Sequence, residues 1–238
     1  MTPDLRIGTA GWGIASRYAA QFPPGGSHLE RYARRMNAVE INSSFYKPHQ
    51  RKTYERWAAS TPAGFRFAAK LPKAISHENA LAGCGDLLDR FVADVTGLGD
   101  RLGVLLLQLP PRLAFDEAIF DRFLEELRAR IATPVALEPR HATWFSADVD
   151  ERLREYHVAR VAADPAPVAA SGDPGGWNGL AYFRWHGTPR TYYSDYDEAA
   201  LAALRLRLGQ SASHVPTWCI LDNTAAGAAL GNAMALQD

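Results

Sequence analysis

Eight short apolar runs recur along the chain, and nearly every one ends on a polar or charged residue. The runs are Leu5–Thr9, Ala38–Ile41, Arg66–Lys70, Leu102–Gln108, Val135–Glu138, 159–163, Ala181–Trp185 and Thr217–Leu221. Val104 to Leu107 is apolar without interruption, as a strand buried on both faces requires. Amphipathic segments lie between the runs, at 28–36, 51–59, 87–98, 116–130, 147–157 and 197–208, and an alanine-rich segment at 224–236 closes the series. Phe120, Phe123, Leu124 and Leu127 fall at helical spacing, with Glu125, Glu126 and Arg128 on the opposite face. Strands alternating with helices predict a parallel sheet. Eight of them in 238 residues predict one α/β domain over residues 1–238, a (β/α)8 TIM-barrel-like fold. The Pro/Gly-rich stretch 164–179 leaves no room for a regular helix after the sixth strand and reads as a long loop.

In such a barrel the C-terminal strand ends converge on one mouth, where ligands bind. At or just past those ends stand Trp12, Glu40 with Asn42, Lys70, Gln108, Glu138 with Arg140 and His141, Asp164, Arg184 with His186, and Asp222 with Asn223. A doubly wound open sheet is the rival architecture. Gly8-Thr9-Ala10-Gly11-Trp12-Gly13 lacks the spacing of the dinucleotide fingerprint, and no GxxxxGK[ST] motif occurs.

Composition narrows the function classes. Lys plus Arg and Asp plus Glu both total 26, so nothing favours nonspecific binding to nucleic acid or to an anionic membrane. Cys84 and Cys219 have no metal-ligand spacing and form no disulfide framework, which fits a reduced, cytoplasmic setting. The first residues lead straight into a strand without the basic and apolar regions of a signal peptide, and no apolar stretch is long enough to span a bilayer. The oligomeric state is left open.

The blocks at the strand ends resemble a known family. They are Gly8-Thr9-Ala10-Gly11-Trp12, Val39-Glu40-Ile41-Asn42-Ser43-Ser44-Phe45-Tyr46, Leu107-Gln108-Leu109-Pro110-Pro111, Glu138-x-Arg140-His141-x-x-Trp144, Ala163-Asp164-Pro165, Tyr182-x-Arg184-x-His186-Gly187 and Asn223-Thr224. This set, over essentially the whole chain, resembles the YecE-like family, domain of unknown function 72. The resemblance implies a TIM-barrel fold and no particular reaction. The chain departs from the pattern between Gly13 and Phe22, which lacks a second tryptophan, and at Asp222, where the family more often has asparagine.

The residues themselves suggest an enzyme acting on a small anionic molecule, phosphorylated, carboxylated or sugar-like. Glu138 and Glu40 are the acid–base candidates, because a carboxylate ending an apolar strand costs free energy unless paired or useful. His186 and His141 are candidates for proton transfer near neutral pH. Lys70, Arg140 and Arg184 would hold the anion. A lysine pointing into a barrel can also form a Schiff base when burial lowers its pKa. The anion-holding role is expected for Lys70, because no sequence feature shows desolvation. Static pairing of Glu138 with Arg140 or Arg184, and of Glu40 with Lys70, is the competing structural role. Asn42, Asn223 and Asp164 would shape the site, Gln108 would orient a ligand or satisfy a neighbour, and Trp12 and Tyr46 would line the pocket. No HxH or HExxH cluster occurs, so no metal or other cofactor is expected, although the carboxylates and imidazoles could suit a divalent ion. A noncatalytic metabolite-binding barrel and a metal-dependent phosphodiesterase acting on nucleic acid are the alternatives. The fold cannot choose among them.

Overall fold

The computed structural model describes residues 4–237. Seven predicted strands occupy the expected residues: β1 Leu5–Thr9, β2 Ala38–Ile41, β3 Arg66–Lys70, β4 Leu102–Gln108, β5 Val135–Glu138, β9 Ala181–Trp185 and β10 Thr217–Leu221. The sixth run is split at Val161 into β6 Val158–Arg160 and β7 Ala162–Asp164. The long loop that follows holds a single 3-10 turn, Ala169–Gly172, and the two-residue strand β8 Gly175–Gly176.

The α-helices are α1 His28–Ala33, α2 Ser43–Tyr46, α3 Arg51–Ala59, α4 Gly85–Val95, α5 Glu117–Arg128, α6 Ala147–Glu155, α7 Glu198–Ala212 and α8 Ala228–Gln237. Their starts follow from side-chain caps. Ser27 and Glu30 form a capping box before α1, and Asp116, Ser146 and Asp197 accept from the first turns of α5, α6 and α7. The predicted face of α5 is buried as Phe120, Phe123, Leu124 and Leu127. The single-turn helix α2 was not anticipated, since four residues are too few to show a period. Among the described residues no helix is long and apolar enough to cross a membrane.

The strands form two sheets, ordered β1-β10-β9-β7 and β2-β3-β4-β5-β6-β8, parallel throughout except for β8, which runs antiparallel to β6. The expected single eight-stranded ladder is therefore not what the pairing displays. The sixth run crosses between sheets: β6 pairs with β5, whereas β7 pairs with β9. At the other seam one bridge, Ala10 to Glu40, links β1 to β2. Gly8 lies so close to β2 that a Cβ there would stand 2.2 Å from the Ala38 carbonyl oxygen.

Two apolar cores result. The larger lies between the helices and the strands. The smaller gathers Ala38, Ala68, Val104, Leu106, Ala136, Ala159, Tyr182, Trp218 and Ile220, drawn from both sheets. Trp218 of β10 lies against Gly103 of β4, where an added Cβ would come within 2.5 Å of the indole.

Candidate functional site

Strand alternation builds the site. Side chains two residues apart share a face. Tyr182 lies in the smaller core, so Arg184 follows it on the same face, and His186 continues the line past the strand end. By the same count Ala38 leads to Glu40, Ala68 to Lys70, Ala136 to Glu138 and Arg140, and Ile220 to Asp222. A layer of apolar side chains is thus capped by a layer of ionisable ones.

Arg184 is at the centre of that layer, 1% exposed. Its Nε and Nη2 donate to both oxygens of Glu40 at 3.0 and 2.8 Å. Its Nη1 donates to Glu138 Oε2 at 2.8 Å, and Nη2 also reaches Asp222 Oδ2 at 2.9 Å. His186 lies between two of these carboxylates, with Nε2 2.9 Å from Glu138 Oε1 and Nδ1 3.0 Å from Asp222 Oδ2. The Arg140 Nη2 lies 3.1 Å from Nε2 of the same ring. Arg140 Nη2 donates to the same Glu138 oxygen, and the Tyr182 hydroxyl donates to Glu40 Oε2 at 2.9 Å.

The charges shift one another. Burial pushes the Glu138 carboxyl up, but Arg184, His186 and Arg140 outweigh it and hold the group well below the usual carboxylate range. Asp222 is lowered in the same way, burial being overcome chiefly by Arg184 and the hydrogen bond from His186. Burial and the Glu40 charge raise the Tyr182 phenol well above its ordinary value. Lys70 behaves differently. Burial first and Arg184 second bring its amine down to about 8, against a partial opposing pull from Glu40, Glu138 and Asp222.

Of the residues expected at the mouth, Glu40, Glu138, Arg140, Arg184 and His186 meet in one network, and Lys70 lies in its field. Arg184, expected to hold an anion, has all three guanidinium nitrogens engaged by carboxylates. Glu40 pairs with Arg184 and not with Lys70. Asp164 is drawn away, because its carboxylate accepts from the Thr188 and Tyr196 hydroxyls and ties down the segment after β9. Asn223 donates to Ser194 O and Asn232 Oδ1, anchoring the same segment to α8. His141 caps the turn Ala142–Phe145 by accepting from Thr143 N. Tyr46 is 80% exposed and lies edge-on to Phe45, and Trp12 packs edge-on against Trp57. Gln108 is half-buried, paired in register with Glu138.

Three buried polar atoms at strand ends lack partners among the described residues: Asn42 Oδ1, Arg140 Nε and Asn223 Oδ1. No set of three or more His, Cys, Asp or Glu side chains among the described residues takes a metal-binding arrangement.

Three further residues join the site. Asp222, one of the strand-end residues, follows Ile220 on the same face by the alternation. Tyr182 looks like any core aromatic until its hydroxyl is seen on Glu40. Tyr192 sits edge-on to the His186 ring, centroids 5.7 Å apart, with a backbone φ of 70°. A bulky residue rarely adopts that left-handed conformation, and no sequence pattern signals it.

The comparisons with known proteins agree with this architecture. The chain is 35% identical over 149 residues to the UPF0759 protein YecE of Escherichia coli (strain K12), covering 60% of this chain and 54% of that protein. It is 34% identical over the same length to YecE of Escherichia coli O157:H7, so the match spans about half the length of these curated relatives. A crystal structure of a DUF72 family protein from Enterococcus faecalis V583 superposes with a TM-score of 0.82 at 20% identity, over 98% of this chain and 94% of that one. One from Thermotoga maritima MSB8 gives 0.78 at 23% identity, over 98% and 97%. Those likenesses concern the fold alone. A family model described as "Protein of unknown function DUF72" matches residues 6–238, and the chain belongs to that family.

Proposed function

We propose that this protein is an enzyme acting on a small anionic molecule at the C-terminal ends of its strands, with the two sheets closed into an eightfold barrel. Closure is supported by the Trp218–Gly103 contact between strands of different sheets and by the Ala10–Glu40 bridge. It is also supported by the bond from Val161 N to Leu137 O, 2.9 Å, which carries the β5–β6 pairing toward β7.

The observation that carries the functional reading is the division of labour among the cations. Arg184 spends four of its five N–H donors on the buried carboxylates. Arg140 gives one nitrogen to Glu138 while its Nε is buried without a partner, and Lys70 forms no ion pair among the described residues. Two basic groups with unused donors beside a fully paired cluster suit an anion's oxygens. The Glu138–His186 pair, two hydrogen-bonded titratable groups at the same place, would handle the proton. A buried ionic cluster of this size is costly to maintain, and perturbed groups of this kind concentrate at functional sites.

The test is thermal stabilisation by inorganic phosphate, pyruvate and sugar phosphates, followed by product analysis for whichever ligand binds. Stabilisation of the wild type that disappears in Arg140→Gln, with conversion of the bound compound, is expected. Binding with recovery of unchanged ligand would favour a metabolite-binding protein, the reading that the internal satisfaction of Arg184 and its carboxylates also suits. No response to any anion would overturn the anionic-substrate assignment.

A further inference from the structure

The chain has four lysines, Lys47, Lys52, Lys70 and Lys73. Three are exposed, and Lys73 pairs with Glu78 on the surface. Lys70 alone is buried, at 7% exposure. Its ammonium lies over the Phe45 ring, 4.2 Å from the centroid, with no carboxylate within ion-pair distance among the described residues. The three nearby carboxylates that would ordinarily satisfy it are claimed by Arg184. Helix α2 is built around this lysine. Ser44 Oγ donates to the Lys70 carbonyl at 2.7 Å, and the next residue, Phe45, covers the amine. The short SSFY helix thereby has a role that its sequence does not reveal.

We propose that Lys70 is a nucleophilic amine that forms an imine with an anionic aldehyde or ketone, a 2-oxo acid or keto phosphate, whose anionic group is held by Arg140. This deepens the functional reading above and rests on it for the anion. In the first step the Nζ lone pair attacks the carbonyl carbon, the C–N bond forms, and the C=O π pair moves to oxygen, which takes up a proton. The nitrogen then loses a proton, the protonated hydroxyl leaves as water, and C=N forms. Amine plus carbonyl gives imine plus water, with no net oxidation or reduction. The Glu138–His186 pair is the proton-handling partner at the same mouth.

Electrostatics support the geometry. An amine titrating at about 8 carries roughly a hundredfold more free base at neutral pH than an ordinary exposed lysine. Burial lowers that value most and Arg184 lowers it further, Glu40, Glu138 and Asp222 pull against them, and His77 also feels the Lys70 charge.

The experiment treats the full chain at neutral pH with pyruvate, dihydroxyacetone phosphate or propionaldehyde in the presence of cyanoborohydride, which reduces an imine to a stable secondary amine. Peptide mapping then locates the adduct. The expected result is one adduct, on Lys70, formed at least about tenfold faster than on Lys47, Lys52 or Lys73. Its rate should climb as pH rises through about 8. Lys70→Met should lose the adduct and keep its circular dichroism spectrum. Lys70→Arg, which retains a charge, should lose it as well. Labelling spread evenly over all four lysines overturns the inference. Stabilisation by pyruvate without any reducible adduct also overturns it and leaves the anion site standing. A Lys70 adduct with propionaldehyde as fast as with the anionic probes retains the nucleophile and removes the Arg140 anion site.

Discussion

Arg184 and Glu40, 144 residues apart in sequence, meet as a bidentate pair with nothing between them and no water-facing edge: Nη2 lies 2.8 Å from Oε1 and Nε 3.0 Å from Oε2. The same guanidinium also reaches Glu138 and Asp222. One side chain thus gathers three strand ends, and loss of any member leaves an uncompensated buried charge.

Glu138→Gln tests catalysis and stability together. Removing the carboxylate should abolish turnover. With Arg184, Arg140 and His186 all facing this carboxylate, a cost of roughly 3 kcal/mol is expected as well, a fall in Tm of about 10 °C. Calorimetry reads the second effect, and an unchanged Tm would show that the cluster contributes little to the fold. Tyr182→Phe, which removes one hydroxyl from Glu40, should cost only about 1 kcal/mol by the same measurement.

Acid should undo the layer. Glu138 and Asp222 both titrate below their ordinary values in the folded chain. Each therefore contributes stability that is fully present above the unfolded-chain value of about 4 and is lost as pH falls through the folded value. Chemical denaturation from pH 7 down to pH 3 should give a falling unfolding free energy below about pH 4. A flat profile there would show that neither carboxylate is paired as described.

Lys70→Met should stabilise the protein at neutral pH. The folded-state amine titrates at about 8, below its ordinary value, so the folded chain resists the charged form. Between about 8 and the ordinary lysine value near 10 the unfolded chain binds more proton, and wild-type stability rises with pH. Below that window the penalty is fully present, on the order of 2–3 kcal/mol. Urea titrations at pH 7 and pH 10 should show the variant ahead at the lower pH and the gap closing at the higher one. Equal stability at both would mean that Lys70 is better solvated than its burial indicates.

Gly103→Ala probes whether β4 and β10 face each other across one interior. The added methyl meets the Trp218 ring, so a cost of about 1–3 kcal/mol is expected. Trp218→Phe should relieve it, giving a coupling energy of at least about 0.5 kcal/mol in a double-mutant cycle. Additive effects would separate the two strands.

The strands and the face bearing the ionisable residues were legible in the sequence because both depend on local chemistry. Short apolar runs such as Val104–Leu107, flanked by Gly103 and Gln108, read as buried strands, and the two-residue period of Tyr182, Arg184 and His186 places all three on one face of an extended chain. What no local pattern carries is which charge neutralises which. Arg184 could have faced an anion, and only the meeting of the C-terminal ends of β2, β5, β9 and β10, drawn from both sheets, commits it to Glu40, Glu138 and Asp222. Asp164 and Asn223 stand at strand ends like the others, yet contacts with Thr188, Tyr196, Ser194 and Asn232 turn them into anchors. The low Lys70 pKa has the same origin. Desolvation is a property of the volume around an amine, and that volume is enclosed only once α2 folds over β3 and Arg184 has taken the carboxylates.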